Sequence, residues 1–153
     1  MSRLIILDSG PLGLVTQRLG IERADACREW VLECTDKVAQ VLVPEIADYE
    51  VRRELLRARK TAGVARLDRF IAAAPQRYLP LTTQAVRKAA ELWADARNRG
   101  VATADIHALD GDVILAAQVL TLDLAGAEII VATDNVRHLS RYVTAVAWSD
   151  FEP

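Results

Sequence analysis

Short apolar segments that end in acidic residues restrict the fold of this sequence more than any other feature. The first spans residues 3–7 and ends at Asp8, and a similar segment spans residues 128–133 and is followed by Asp134. A short unbroken apolar run bounded by turn residues is typical of a strand that is buried on both faces. Because both faces of such a strand must be covered, the pattern favours a sheet that lies between layers of helices.

Helical periodicity separates the predicted strands. Further strands are predicted at residues 38–43, 78–81 and 143–148, and helices at residues 12–18, 22–35, 44–60, 62–73, 83–99 and 110–124. Strands that alternate with helices imply right-handed crossovers and parallel pairing. We therefore expect an α/β fold in which a parallel sheet of four or five strands is sandwiched between helices.

Length and composition place the chain among ordinary globular domains. Of its 153 residues 52% are hydrophobic, so it can bury a core without disulfides or a structural metal. Cys27 and Cys34 are two turns apart on one predicted helix, which is too far for a disulfide within that helix. The sequence has no secretory leader and no apolar run of about 20 residues. We expect a single domain over residues 1–153, located in the cytoplasm.

The charge of the chain is unevenly distributed. The formal net charge is −2, but residues 52–69 contain seven basic and two acidic side chains. This stretch therefore carries +5 and the rest of the chain −7. Such polarity can attract a polyanion to one side of a molecule. Within the stretch, Arg53 and Arg57 are our candidates for contacts with a nucleic-acid backbone.

Two of the predicted strands are followed by an aspartate. Ligands of doubly wound sheets bind at the carboxyl ends of the strands, so Asp8 and Asp134 are candidate site residues. A turn or helix-capping role is the alternative for each. Ser9 could fill the capping role in place of Asp8, and Asn135 could fill it in place of Asp134.

The helix that follows the second predicted strand carries acids within its apolar arc. With Ile46 set at 0°, Glu50 falls at about 40° and Glu54 at about 80°. A buried carboxylate is costly unless it is paired or binds a metal. Glu54 has Arg57 or Arg53 on neighbouring turns and is better explained by an ion pair. Glu50 is favoured as a site residue. Asp48 falls at the edge of the arc.

Asp112 is the fourth candidate acid. It lies in the first turn of an almost wholly apolar predicted helix, where the helix dipole would favour it by about 0.3–1 kcal/mol. Because Asp110 already occupies the expected N-cap position, Asp112 has less structural reason to be there. We therefore favour a functional role for Asp112. A metal-binding role for Asp105 and His107 is less favoured than a solvated loop.

Convergence of these acids would favour a divalent cation. Two carboxylates about 5 Å apart repel by about 3 kcal/mol at an effective dielectric near 20. All-oxygen ligands suit Mg²⁺ or Mn²⁺, which can act on a phosphodiester and activate water. The sequence lacks a P-loop, a dinucleotide-binding glycine motif, a serine-hydrolase elbow and a CxxC pair, so those enzyme classes lose their usual support.

The order and spacing of four segments resemble PIN-domain ribonucleases, and in particular VapC-type toxins of bacterial toxin–antitoxin pairs. The matching segments are residues 5–9, 43–50, 109–117 and 131–135. The resemblance implies a PIN-like fold and identifies three metal ligands: Asp8, Glu50 and Asp112. It also implies RNA as substrate, a homodimer, and a small antitoxin whose tail occupies the acidic site.

The last segment departs from the family pattern. Members often carry T-x-D or T-x-N with a further acid downstream, whereas here Asn135 fills the third place and His138 stands where the acid is common. The fourth ligand is therefore open, and Asp134 is a substitute candidate. Such a change could weaken a second metal site or lower the activity.

We interpret the sequence as an Mg²⁺- or Mn²⁺-dependent endoribonuclease. In this interpretation Asp134 or Asn135 assists through water, while Ser9 and Thr133 tune the pocket. One alternative is a catalytically silent domain of the same fold that binds RNA or a protein. A metal-dependent phosphatase ranks last, because Gly10 stands where such enzymes need a second aspartate. DNA is the alternative substrate to RNA, because no feature of the sequence is specific for a 2′-hydroxyl.

Overall fold

The computed structural model describes residues 2–37, 39–100 and 106–153. Five strands pair in parallel in the order β3-β2-β1-β4-β5. Their bounds are β1 Arg3–Leu7, β2 Ala39–Pro44, β3 Tyr78–Leu79, β4 Glu128–Ala132 and β5 Ala145–Val146. The expected α/β class and the parallel sheet are confirmed.

Helices pack on both faces of this sheet. They are α1 Ser9–Val15, α2 Glu22–Asp36, α3 Glu45–Arg57, α4 Thr61–Ala72, α5 Thr83–Asn98, α6 Ile106–Leu120 and α7 Val136–Leu139, with a 3-10 turn at Trp148–Asp150. Within the described ranges, no helix combines the length and the apolar character needed to cross a membrane.

The central strand β1 is buried on both faces. Ile5 and Leu7 pack into the cluster formed with α1 and α2, while Leu4 and Ile6 pack into the cluster formed with α6. Burial of a side chain of this size stabilises the fold by about 1.5–3 kcal/mol. The apolar character of residues 3–7 therefore follows from helices on either side of the strand.

The strand order reverses at β1, which lies between β2 and β4. The carboxyl ends of β1 and β4 are level, because Leu7 pairs with Ala132. The residues that follow these strands, Asp8 and Thr133, are consequently neighbours. A crevice of this kind, at the point where the strand order reverses, is the usual ligand site of doubly wound sheets.

The start of α6 differs from the prediction. The helix begins at Ile106, so Asp110 is not its N-cap but an exposed residue within the helix, and Asp112 lies in the second turn. The earlier start follows from packing, because Leu109 is buried in a cluster that includes alanines of α5. Asp105 lies outside the described residues.

Cys27 and Cys34 are both buried on α2 and neither forms a disulfide, in agreement with the prediction.

Candidate active site

Asp8 lies at the carboxyl end of β1, at the centre of the crevice. Its backbone N–H donates to the Ala132 carbonyl at 3.0 Å, which continues the sheet by one residue. The Thr133 hydroxyl donates to Oδ2 at 2.7 Å, and the Ser9 backbone N–H donates to Oδ1 at 2.8 Å. Burial raises the pKa of Asp8 above its usual value, the two hydrogen bonds oppose the rise, and the Asp134 charge adds to it.

Glu50 reaches the crevice from α3, the helix that follows β2. Burial, followed by the Asp8 charge, raises the pKa of Glu50 to about 7. Arg53 opposes the rise, and its Nη2 lies 4.0 Å from Oε2 of Glu50. A Cβ atom on Gly111 would lie 3.0 Å from the same oxygen, so the glycine of α6 provides the space that this carboxylate occupies.

Asp112 reaches the crevice from α6. Burial, and then the Asp8 charge, raise the pKa of Asp112 to about 6. The side-chain amide of Asn135 opposes this, because its Nδ2 lies 3.3 Å and 3.4 Å from the two carboxylate oxygens. His138 and Arg141 also lower the pKa of Asp112 through their charges. The charge of Asp8 therefore raises the pKa of both Glu50 and Asp112, which come from two different helices.

Their donor chemistry suits a hard divalent cation. All of the donors are oxygens, and a cation would relieve the repulsion that raises the pKa of Glu50 and Asp112. In the described part of the chain, however, no group of three Asp, Glu, His or Cys side chains is arranged to hold a metal ion. Asp8 and Asp112 instead accept hydrogen bonds from Thr133 and Asn135.

Asp134 lies at the rim of the crevice. Its side chain is 51% exposed, and Nη2 of Arg23 on α2 lies 3.3 Å from its Oδ1. It also lies against Gly10, where a Cβ atom would come within 2.4 Å of its Oδ2. The neighbouring Asn135 is the residue that contacts an acid of the crevice, Asp112.

A cleft of about 470 Å³ continues from the acids along α1 and α3. Its lining includes Glu50 and four basic side chains, which are Arg53, Arg57, Lys60 and Arg66. Two of the four are held in place, since Arg57 pairs with Glu54 at 3.0 Å and Arg66 donates to the Thr16 carbonyl at 2.8 Å. The basic stretch of the sequence therefore borders the acids, and Glu54 forms the ion pair predicted for it.

The fold matches solved structures over nearly the whole chain. No family model and no curated protein matches the sequence. Among solved structures, VapBC2 from Rickettsia felis bound to a promoter DNA fragment matches 95% of this chain and 98% of that chain, with 13% identity and a TM-score of 0.65. FitAcB from Neisseria gonorrhoeae covers 96% and 99%, with 19% identity and a TM-score of 0.63. DNA-bound VapBC from Salmonella typhimurium covers 97% and 99%, with 14% identity and a TM-score of 0.61.

The fold is PIN-like. At these identities the likeness concerns the arrangement of strands and helices over nearly the whole chain. Within this PIN-like fold Asp8 follows β1, Glu50 lies on α3 after β2, and Asp112 lies on α6 before β4.

Sequence reasoning did not identify Asp48 as a buried acid. Asp48 accepts hydrogen bonds from Arg52 at 3.0 Å and from the Tyr78 hydroxyl at 3.0 Å, and Arg52 also pairs with Asp68 at 2.7 Å. This network ties α3 to α4 and β3, and none of its members contacts the acids of the crevice. The role of this network is structural. The sequence signal for it was Arg52, which lies four residues after Asp48 and can form an ion pair with it on the same helix.

Proposed function

We propose that this chain is a divalent-metal-dependent endoribonuclease that hydrolyses RNA phosphodiester bonds. The observation that supports it most is the convergence of Asp8, Glu50 and Asp112, in which the Asp8 charge raises the pKa of both other acids. Buried carboxylates that repel one another are costly until a cation neutralises them. We assign these three acids as ligands of Mg²⁺ or Mn²⁺. When bound, such an ion polarises a phosphodiester and activates water.

The neighbouring polar residues have supporting roles in this proposal. Thr133 and Ser9 donate to Asp8 and so favour its ionised form. Asn135 donates to Asp112 in the same way. We assign the assisting role near the acids to Asn135, because Asp134 is paired with Arg23 at the rim.

The basic cleft is proposed as the path of the RNA backbone. Its four cations line a cleft whose wall also includes Glu50, so a strand held there by its phosphates would pass beside that acid. Phosphate contacts of this kind hold a polyanion without reading its sequence. Arg53 and Arg57 are the contacts that we propose to be closest to the acidic end.

A small antitoxin partner and a homodimer are also part of the proposal. The matched structures reported above are VapBC2, FitAcB and VapBC, and two of these three are bound to DNA. By analogy, this chain would be the toxin of a type II toxin–antitoxin pair, and its partner would cover the acidic crevice.

Cleavage of RNA by the purified protein, freed of any co-purifying partner, tests the nuclease proposal. Structured and single-stranded RNAs are incubated with Mg²⁺, Mn²⁺ or EDTA. We expect metal-dependent cleavage that is lost in Asp8→Asn and retained in Asp123→Asn, an exposed aspartate near β4. Full activity of Asp8→Asn, with circular dichroism showing an unchanged fold, would remove the assignment. Parallel reactions with single-stranded DNA establish which nucleic acid is cut.

A catalytically silent domain that binds RNA or a protein is the second candidate. It is favoured by His138, which stands where a further acid is common in the family, and by the lack of a preformed three-ligand group among the described residues. This candidate predicts retention of RNA without turnover in the same experiment.

Salt dependence of RNA binding tests the basic cleft. Arg57→Ala should weaken binding and make the negative slope of log K against log salt shallower by about 0.7, the value for one lost contact on a single strand. Arg99→Ala removes a cation from the end of α5, outside the cleft lining, and should leave the slope unchanged. Equal slopes for both variants would contradict the proposed path.

A further inference from the structure

The side chain of Asn135 lies between Asp112 and His138. Its Nδ2 faces both carboxylate oxygens of Asp112, at 3.3 Å and 3.4 Å. Its Oδ1 lies 2.7 Å from Nδ1 of His138. An amide oxygen only accepts hydrogen bonds, so the imidazole must carry a proton on Nδ1 to donate to it. The proton position on His138 and the orientation of the Asn135 amide therefore determine each other.

The backbone of Asn135 is held by a hydrogen bond, but its side-chain amide can still flip about the Cβ–Cγ bond. Asn135 precedes α7, and its backbone N–H donates to the Thr133 hydroxyl at 2.8 Å. That hydroxyl also donates to Asp8, so the backbone of Asn135 is connected to β1. With the backbone held in this way, the amide can still rotate by half a turn about its last bond.

The rotated orientation is unfavourable beside an ionised Asp112. It would place Oδ1 of Asn135 against the carboxylate, so that two acceptors face each other, and it would direct the NH₂ group at His138. The imidazole would then have to accept through Nδ1 and carry its proton on Nε2. A proton on Nδ1 of His138 excludes this arrangement.

We propose that His138 is a positioning residue, which fixes the Asn135 amide so that it donates to Asp112. The amide thereby donates to Asp112 without adding negative charge to the crevice. The catalytic consequence rests on the proposed nuclease function, whereas the hydrogen-bond arrangement stands on its own. In the sequence His138 was notable only because an acid is common at that place in the family.

The first test is the tautomer of His138 in metal-free protein, read from ¹⁵N chemical shifts of the imidazole. The chain has only 2 histidines, and a His107→Gln variant assigns the signal of His138. At a pH where the ring is neutral, we expect the proton on Nδ1 in the wild type. Asn135→Ala removes the acceptor and should return His138 to the Nε2–H form that predominates in free imidazole side chains. A wild-type His138 in the Nε2–H form would overturn the proposal.

The second test measures cleavage by His138 variants. Loss of a residue that orients another site residue typically costs 10–100-fold. We expect His138→Leu to lower kcat by about 10-fold with KM unchanged. His138→Gln retains an N–H donor and should recover part of the loss. A KM effect alone, or equal losses in both variants, would contradict a positioning role.

The two tests separate this proposal from the proposed function. A protein that cleaves no RNA but shows the Nδ1–H tautomer, lost in Asn135→Ala, refutes the nuclease and supports the arrangement around Asn135. An active nuclease with the opposite tautomer refutes the role of His138 alone.

Discussion

Neutralising Glu50 should stabilise the metal-free protein while removing a residue that the proposed reaction needs. Burial and the Asp8 charge raise the pKa of Glu50 from 4.5 to about 7. That difference corresponds to about 3 kcal/mol at a pH above both values. About a quarter of the side chain is exposed, so solvent screening reduces the effect to about 1–2 kcal/mol. We expect Glu50→Gln to raise the melting temperature by roughly 3–6 °C at pH 8 without metal.

The sign of the effect follows from linkage. Because the folded-state pKa of Glu50 is raised, the proton on this carboxyl favours the fold. Its contribution is fully present below the unfolded value of 4.5 and is lost as the pH rises through about 7. The advantage of Glu50→Gln should therefore be largest at pH 8 and fall to about a quarter at pH 5.

Thermal unfolding at the two pH values, with EDTA present, measures the advantage. Glu54→Gln is the matched control, since Glu54 lies on the same helix with its side chain 60% exposed. Its substitution should change stability by no more than about 0.5 kcal/mol. A Glu50→Gln variant that is no more stable than wild type at pH 8 would refute the argument that repulsion and burial strain this site. Mg²⁺ should stabilise the wild type more than Glu50→Gln, because the variant lacks one proposed ligand.

Two further substitutions test the geometry of the crevice. Thr133→Val removes the fully buried hydroxyl that donates to Asp8, and we expect the free energy of unfolding to fall by about 2–3 kcal/mol in chemical denaturation. Thr133→Ser keeps the hydroxyl and should cost less, so equal losses would contradict a hydrogen-bonding role. Gly111→Ala places a Cβ atom 3.0 Å from Oε2 of Glu50 and should lower the rate of RNA cleavage about 10-fold. Gly13→Ala has no neighbour within 4 Å and should keep the wild-type rate, so equal rates in both variants would show that Glu50 needs no such space.

The sheet was predictable because its signals are local. The apolar run of β1 ends at Asp8 in both the prediction and the structure, and the helix after β2 carries Glu50 on its inner side. Each of these patterns lies within one strand or within a few turns of one helix, so it can be recognised from neighbouring residues alone. The helical angle count placed Glu54 inside the apolar arc, whereas its side chain is 60% exposed. The neighbouring arginines were the better guide, because Glu54 forms an ion pair with Arg57.

The start of α6 and the buried state of Asp48 were not predictable in this way. The first turn of α6 forms because Leu109 packs against α5, which is distant in the sequence from the residues that the periodicity argument used. Asp48 is buried because Arg52 and Tyr78 both donate to it, and Tyr78 belongs to another element. The helical period shows which residues share a face but not what covers that face.

The sequence by itself determined the α/β class, the parallel sheet and the acids at its edge, since periodicity and composition act over short distances along the chain. Only the tertiary structure shows which of Asp134 and Asn135 contacts an acid of the crevice. These adjacent residues have similar side chains, but Arg23 of α2 holds the first at the rim, while the second reaches Asp112. Their partners lie far away in the sequence and become neighbours only when α2 and α6 pack on the sheet.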